Sequence, residues 1–237
     1  MEFFLISSLS FGISALVTLI LSLILWKVFF QNRDKNIMYL AGFIGVRFFM
    51  FLSVTLVQLL YVLTKDAALS GITFSFFFVF MFISFLFPPF LFTIFKWQGI
   101  RNYYFALVLI LSLAGIIFAL LNIQPVVTSN YQMRGSVSPF LPAVVVYFLY
   151  PMGKLISILP LTILFLIYAI RKTRKIRLKS LLMGIGFLWV ISTIIIPFLL
   201  PPLFSGIYAC IADILIFAGA MVKIPKGESG LDDSTAN

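Results

Sequence analysis

Three ionisable side chains stand inside long apolar runs: Arg47, Lys154 and Asp213. A charge held at the centre of a bilayer costs about 2.5–3.5 kcal/mol on insertion scales, so such a residue pairs, lines a wet cavity or does chemistry. Arg47 lies twelve positions past Lys35, which at the helical rise places it ~18 Å above the face that Lys35 marks. Asp213 lies ten positions before Lys223 on a descending segment, or ~15 Å above the same face. Two opposite charges at nearly equal depth predict an ion pair joining the second apolar segment to the last. That pair reads either as a clamp that fixes helix neighbours or as a ligand, ion or proton site. Lys154, seventeen positions before Arg171, falls ~25 Å up, near the opposite interface. There its aliphatic stem is expected to snorkel the ammonium toward the headgroups, the alternative being a cation that faces an outward pocket.

Other chemistries lack their parts. There is no histidine and one cysteine, Cys210, so neither a thiolate metal cluster nor an internal disulfide is expected, and the commonest general base is missing. An intramembrane aspartyl site needs two carboxylates sharing a proton, and the apolar segments hold one, Asp213. Haem would have to use methionine or tyrosine as its axial ligand. A retinal Schiff base needs a buried lysine on the last segment, where the first lysine is Lys223 at the interface. The sequence therefore predicts a non-enzyme with no cofactor and no metal.

The elements that carry these residues follow from composition. The chain is 62% hydrophobic and 10% charged, against ordinary soluble values of about 45–50% and about 25%, which is a membrane composition. Spans need ~20 apolar residues, and the runs predict seven of them, over about 3–30, 37–63, 71–95, 103–122, 151–170, 178–198 and 203–222. The first is read as a retained helix, since its start lacks a basic region and no small-residue cleavage site follows. Pro88-Pro89 predicts a kink in the third span, because two adjacent prolines remove two backbone donors. The run 140–170 is too long for one crossing at ~46 Å, and Pro142, Pro151 and Pro160 offer break points. An interfacial or re-entrant piece is expected over 140–150, with the connection 123–139 above it. The stripe Ser10, Ser14, Thr18 and Ser22 and the glycines Gly42, Gly45, Gly184 and Gly186 read as close-packing positions between helices. Residues 227–237 read as a disordered cytoplasmic tail.

The net charge of +10 is topological and predicts no nucleic-acid partner, because the cations gather in alternate loops. One side holds Lys27, Arg33, Lys35, Lys96, Arg101, Arg171, Lys172, Arg174, Lys175, Arg177, Lys179, Lys223 and Lys226; the other holds Lys65 and Arg134. Positive loops stay in the cytoplasm. The expectation is an all-α membrane protein of seven transmembrane helices, N-terminus outside and C-terminus cytoplasmic, in a prokaryotic plasma membrane.

The basic run Arg171, Lys172, Arg174, Lys175, Arg177 and Lys179, followed by Ser180-Leu181-Leu182-Met183-Gly184-Ile185-Gly186-Phe187, resembles the membrane sensor modules at the N-terminus of some bacterial histidine kinases. The resemblance covers the architecture of residues 3–222 and carries over no functional residue. It implies a non-catalytic, sensor-like or partner-coupling protein whose output passes to a separate membrane or cytoplasmic partner. The basic run would dock that partner or anionic lipid. Two other readings are a structural subunit of a larger complex, covered through its phenylalanine-rich third span, and a small-solute or ion transporter working through Asp213.

Overall fold

The computed structural model describes residues 2–95, 98–121, 148–171, 174–194 and 202–222. Lys96, Trp97, Lys172, Lys223 and Lys226, the connection 123–139 with Arg134, residues 140–147 of the expected interfacial piece, the apolar turn at Pro197 and Pro201, and the tail 227–237 lie outside the described residues. So do the side chains of Arg174 and Lys175.

Seven α-helices are seen among the described residues: α1 Glu2–Asn32, α2 Lys35–Thr64, α3 Ala67–Ser84, α4 Gln98–Leu121, α5 Tyr150–Arg171, α6 Arg174–Ser192 and α7 Pro202–Met221. A 3-10 helix, Pro88–Phe95, lies between α3 and α4. Among the described residues, six segments are long and apolar enough to cross a membrane, one running from Leu69 in α3 to Phe92 in the 3-10 helix. α6 is not among them: Arg174, Lys175, Arg177 and Lys179 load its first turns with charge.

The first two turns use one device. Arg33 and Lys65 take left-handed backbone, with φ of 55° and 57°, and their N–H groups close on Phe29 and Tyr61 to finish the preceding helix. Asp34 and Asp66 then cap the next helix, accepting from the N–H of Asn36 and of Leu69, which satisfies donors that a helix start leaves orphaned. Neighbours run round a closed circuit, α1 on α2, α2 on α3, α3 on α4, α4 on α5, α5 on α6, α6 on α7 and α7 back on α1. The 3-10 helix sits inside it against α2, α4 and α5.

The third span departs from the expected kinked helix. Pro88 and Pro89 cannot donate to the carbonyls of Ser84 and Phe85, four residues earlier, so the α-helix stops at Ser84 and the chain goes on as 3-10 helix. The orphaned groups find partners. Phe87 N–H donates to the Ser84 carbonyl at 3.4 Å, and the Ser157 hydroxyl of α5 donates to the Phe85 carbonyl at 2.7 Å. Ser157→Ala should therefore leave a buried carbonyl unsatisfied at a cost of about 1–3 kcal/mol. Unfolding by titration with a denaturing detergent measures it, and a loss below ~0.5 kcal/mol would mean that Phe85 has another donor. By contrast α5 runs unbroken through Pro160, and Pro151 lies in its first turn, where proline is tolerated.

The phenylalanines of this region fill the interior. Phe74, Phe78, Phe82 and Phe85 are buried, and only part of the set, such as Phe76, faces outward. Three rings sit on glycines of three other helices: Phe82 on Gly115 of α4, Phe85 on Gly153 of α5 and Phe87 on Gly42 of α2. A Cβ at those glycines would come within 2.3, 2.7 and 2.3 Å of the rings, respectively, inside any tolerable contact. The hydroxyl stripe of α1 also packs inward. Ser22 donates to the Ala41 carbonyl at 3.0 Å and leaves no room for a side chain at Gly45, while Ser10 does the same at Gly206.

Candidate functional site

The structure brings Arg47 and Asp213 together. Arg47 lies on the inward face of α2 with Phe43, Ile44 and Phe51, and Asp213 lies on α7 between Ala212 and Ile216, both fully buried. Arg47 Nε donates to Asp213 Oδ1 at 2.6 Å, and Nη2 donates to the Ala209 carbonyl, one helical turn earlier, at 3.2 Å. The two side chains are 3% and 0% exposed. Phe43 and Phe51 flank the guanidinium, their ring centroids 5.7 and 5.3 Å from Cζ, so its faces meet π-density while its edge meets oxygen. Asp213 Oδ2 is buried with no hydrogen-bond partner among the described residues.

Lys154 departs from the snorkelling expectation. It is 4% exposed, turned into the bundle, and its ammonium donates to the Tyr150 hydroxyl and to Thr193 Oγ1. The reason is lateral. Depth counts along the helix axis do not say which face a side chain takes, and Tyr150, Gly153, Lys154 and Ser157 form one face of α5 at i, i+3, i+4 and i+7. That face turns inward: Gly153 and Ser157 both meet Phe85. A stripe of small and polar residues around a lysine was the available signal, and the depth count passed over it.

Sequence reasoning also missed the hydroxyls near Lys154. Thr193 follows the last residue of α6, and Tyr150 opens α5. Beside them the Ser192 hydroxyl lies 2.7 Å from the Tyr208 hydroxyl of α7, and Trp189 Nε1 donates to the Tyr208 carbonyl at 3.0 Å. Polar contacts thus link α2 to α7 through Arg47 and Asp213, α7 to α6 through Tyr208, and α6 to α5 through Thr193 and Lys154.

No known protein family, curated protein or solved structure matches this chain.

The basic run is partly in view. Arg171 ends α5, exposed, and Arg177 is exposed on α6, with Lys179 half-buried. Among the described residues there is no group of three or more histidine, cysteine or acidic side chains that could hold a metal. What the interior offers is two basic side chains, one acidic side chain and several hydroxyls, on four helices.

Proposed function

We propose that this is a non-catalytic, sensor-like or partner-coupling membrane protein of seven spans, N-terminus outside and C-terminus cytoplasmic. The carrying observation is the buried Arg47–Asp213 pair between α2 and α7. A ligand or partner that favours one arrangement of these helices shifts the equilibrium by its differential affinity for the two. The cationic end, with Arg171, Arg177 and Lys179, docks a cytoplasmic partner or anionic lipid.

Two measurements test this reading. Thr64 and Gln31 are exposed at opposite ends of α2 and α1. A membrane-impermeant maleimide should label Thr64→Cys in intact cells and Gln31→Cys only after permeabilisation; the reverse pattern would overturn the orientation. Purification in mild detergent with mass spectrometry should yield a protein partner in fixed stoichiometry, lost when Arg171, Arg174 and Arg177 are changed to glutamine.

Asp213 Oδ2 favours a second reading. A buried carboxylate oxygen with no described partner suits a transported cation or proton. Solute flux in proteoliposomes that vanishes in Asp213→Asn would establish the transporter and displace the sensor.

A further inference from the structure

Between Ile6 and Leu23, α1 carries two kinds of surface. Ser10, Ser14, Thr18 and Ser22 are buried on the side of α2 and α7, the helices against which α1 packs. Ser22 donates to Ala41 of α2, Ser7 accepts from Gln58 of α2, and Ser10 lies over Gly206 of α7. The exposed residues of the same stretch are Ile6, Leu9, Ile13, Leu16, Ile20 and Leu23, and those alone. They recur at steps of three, four, three, four and three, and isoleucine alternates with leucine throughout. Each is 46–64% exposed. In heptad terms isoleucine takes every a position and leucine every d. Lys27 and Phe30, also exposed, take the next a and d.

A stripe confined to a and d is the narrow seam of a coiled coil. Lipid contact asks only for apolar side chains and does not sort isoleucine from leucine. A parallel two-stranded seam does, because β-branched residues suit its a positions and leucine its d positions. α4 supplies the contrast. Ile110, Leu113, Ile117 and Leu120 repeat part of the pattern, but Leu107, Phe118 and Leu121 are exposed beside them, which widens that surface into a lipid face.

We propose that the outer face of α1 is a self-association surface, on which a second copy of this chain packs its own α1 in parallel. Insertion gives every copy one orientation, so the two helices of a pair run the same way, as the pattern requires. A two-fold axis along the membrane normal sets the same patch of each copy against the other. Between lipids, association rests on packing rather than on escape from water. The small residues of α1 are already used against α2 and α7, so the contact outside is made by large side chains seated as knobs in holes, at a crossing angle of about 20°. The six residues offer on the order of 500 Å² per copy, which brings the pair to the ~1,000 Å² that a specific interface clears. Lys27 ends the apolar seam, and one lysine at an a position sets register at some cost in stability. This pairing is independent of whether the chain senses or transports, since neither Arg47 nor Asp213 lies on α1.

The test uses the full chain in membranes. Cys210 is the single cysteine and is buried, and Cys210→Ala gives a background without thiols. Leu9→Cys, Leu16→Cys and Leu23→Cys, one at a time, are oxidised with copper phenanthroline. Each should give a disulfide-linked dimer about fivefold or more above Ile110→Cys on α4. Energy transfer between donor- and acceptor-labelled chains in proteoliposomes, diluted with lipid, then measures the equilibrium. Ile13→Ala with Ile20→Ala should raise the dissociation constant by about tenfold or more. The matched change on α4, Ile110→Ala with Ile117→Ala, should leave it unchanged, which separates loss of pairing from loss of fold. The dimer is overturned if energy transfer stays at the level of random collision at every dilution. The seam is overturned if the α4 change weakens pairing as much as the α1 change, or if Leu16→Cys cross-links no better than Ile110→Cys.

Discussion

Asp213→Ala is expected to lower the unfolding free energy by about 3–5 kcal/mol, the loss usual when one member of a buried ion pair is removed. The size comes from what stays behind. Arg47 would keep the Ala209 carbonyl and the two aromatic rings, but its charge would lie 3% exposed without a counter-charge. Arg47→Met should cost a similar amount for the mirror reason. The double variant Arg47→Met, Asp213→Leu leaves neither charge stranded and should recover most of the loss, since apolar replacements of buried pairs are often neutral or stabilising. Equilibrium unfolding of the four proteins in a denaturing-detergent titration gives the coupling directly. A double variant that folds well yet no longer retains a partner would show that the pair serves function beyond stability. If Asp213→Ala costs less than ~1 kcal/mol, the pair is not held as the geometry has it.

Gly186→Val should be the other severe change. A Cβ there would lie 2.9 Å from the backbone N of Ile216 and 3.2 Å from the Ala212 carbonyl, and backbone atoms cannot rotate away as a side-chain tip can. α6 and α7 would have to separate. Overpacking of this kind costs about 1–3 kcal/mol, occasionally more. Asp213 and Ala209 ride on the displaced α7, so the contacts to Arg47 should loosen in the same step. Gly99→Ala is the control: among the described residues nothing lies within 4 Å of a Cβ there, so the added methyl, in the first turn of α4, should cost nothing measurable. Equal effects from the two changes would mean that α6 and α7 are not in close contact.

These expectations show which features a linear reading reaches. The Arg47–Asp213 pairing was within reach because a helix advances by a fixed rise, so counting from interface cations gives depth. Depth alone placed Lys154 at the rim with its ammonium in the headgroups, since counting says nothing about which neighbour covers a helix face. The double proline announced a disturbance in the third span, but the Phe85 carbonyl it orphans is met by Ser157, seventy-two positions further along the chain from Phe85. The phenylalanine-rich stretch, read from sequence as a face for a partner, turned out to fill the chain's own interior for the same reason. Its answer lies in Gly42, Gly115 and Gly153, each on a different helix and none near it in sequence.

Those ring-and-glycine seats imply a rule for how this chain can diverge. A methyl group added at Gly115 has no space unless the ring at 82 shrinks in the same lineage, and the couples 153 with 85 and 42 with 87 are bound likewise. Sequences that share this architecture should therefore show paired drift at these sites, bulk lost on one side as it appears on the other.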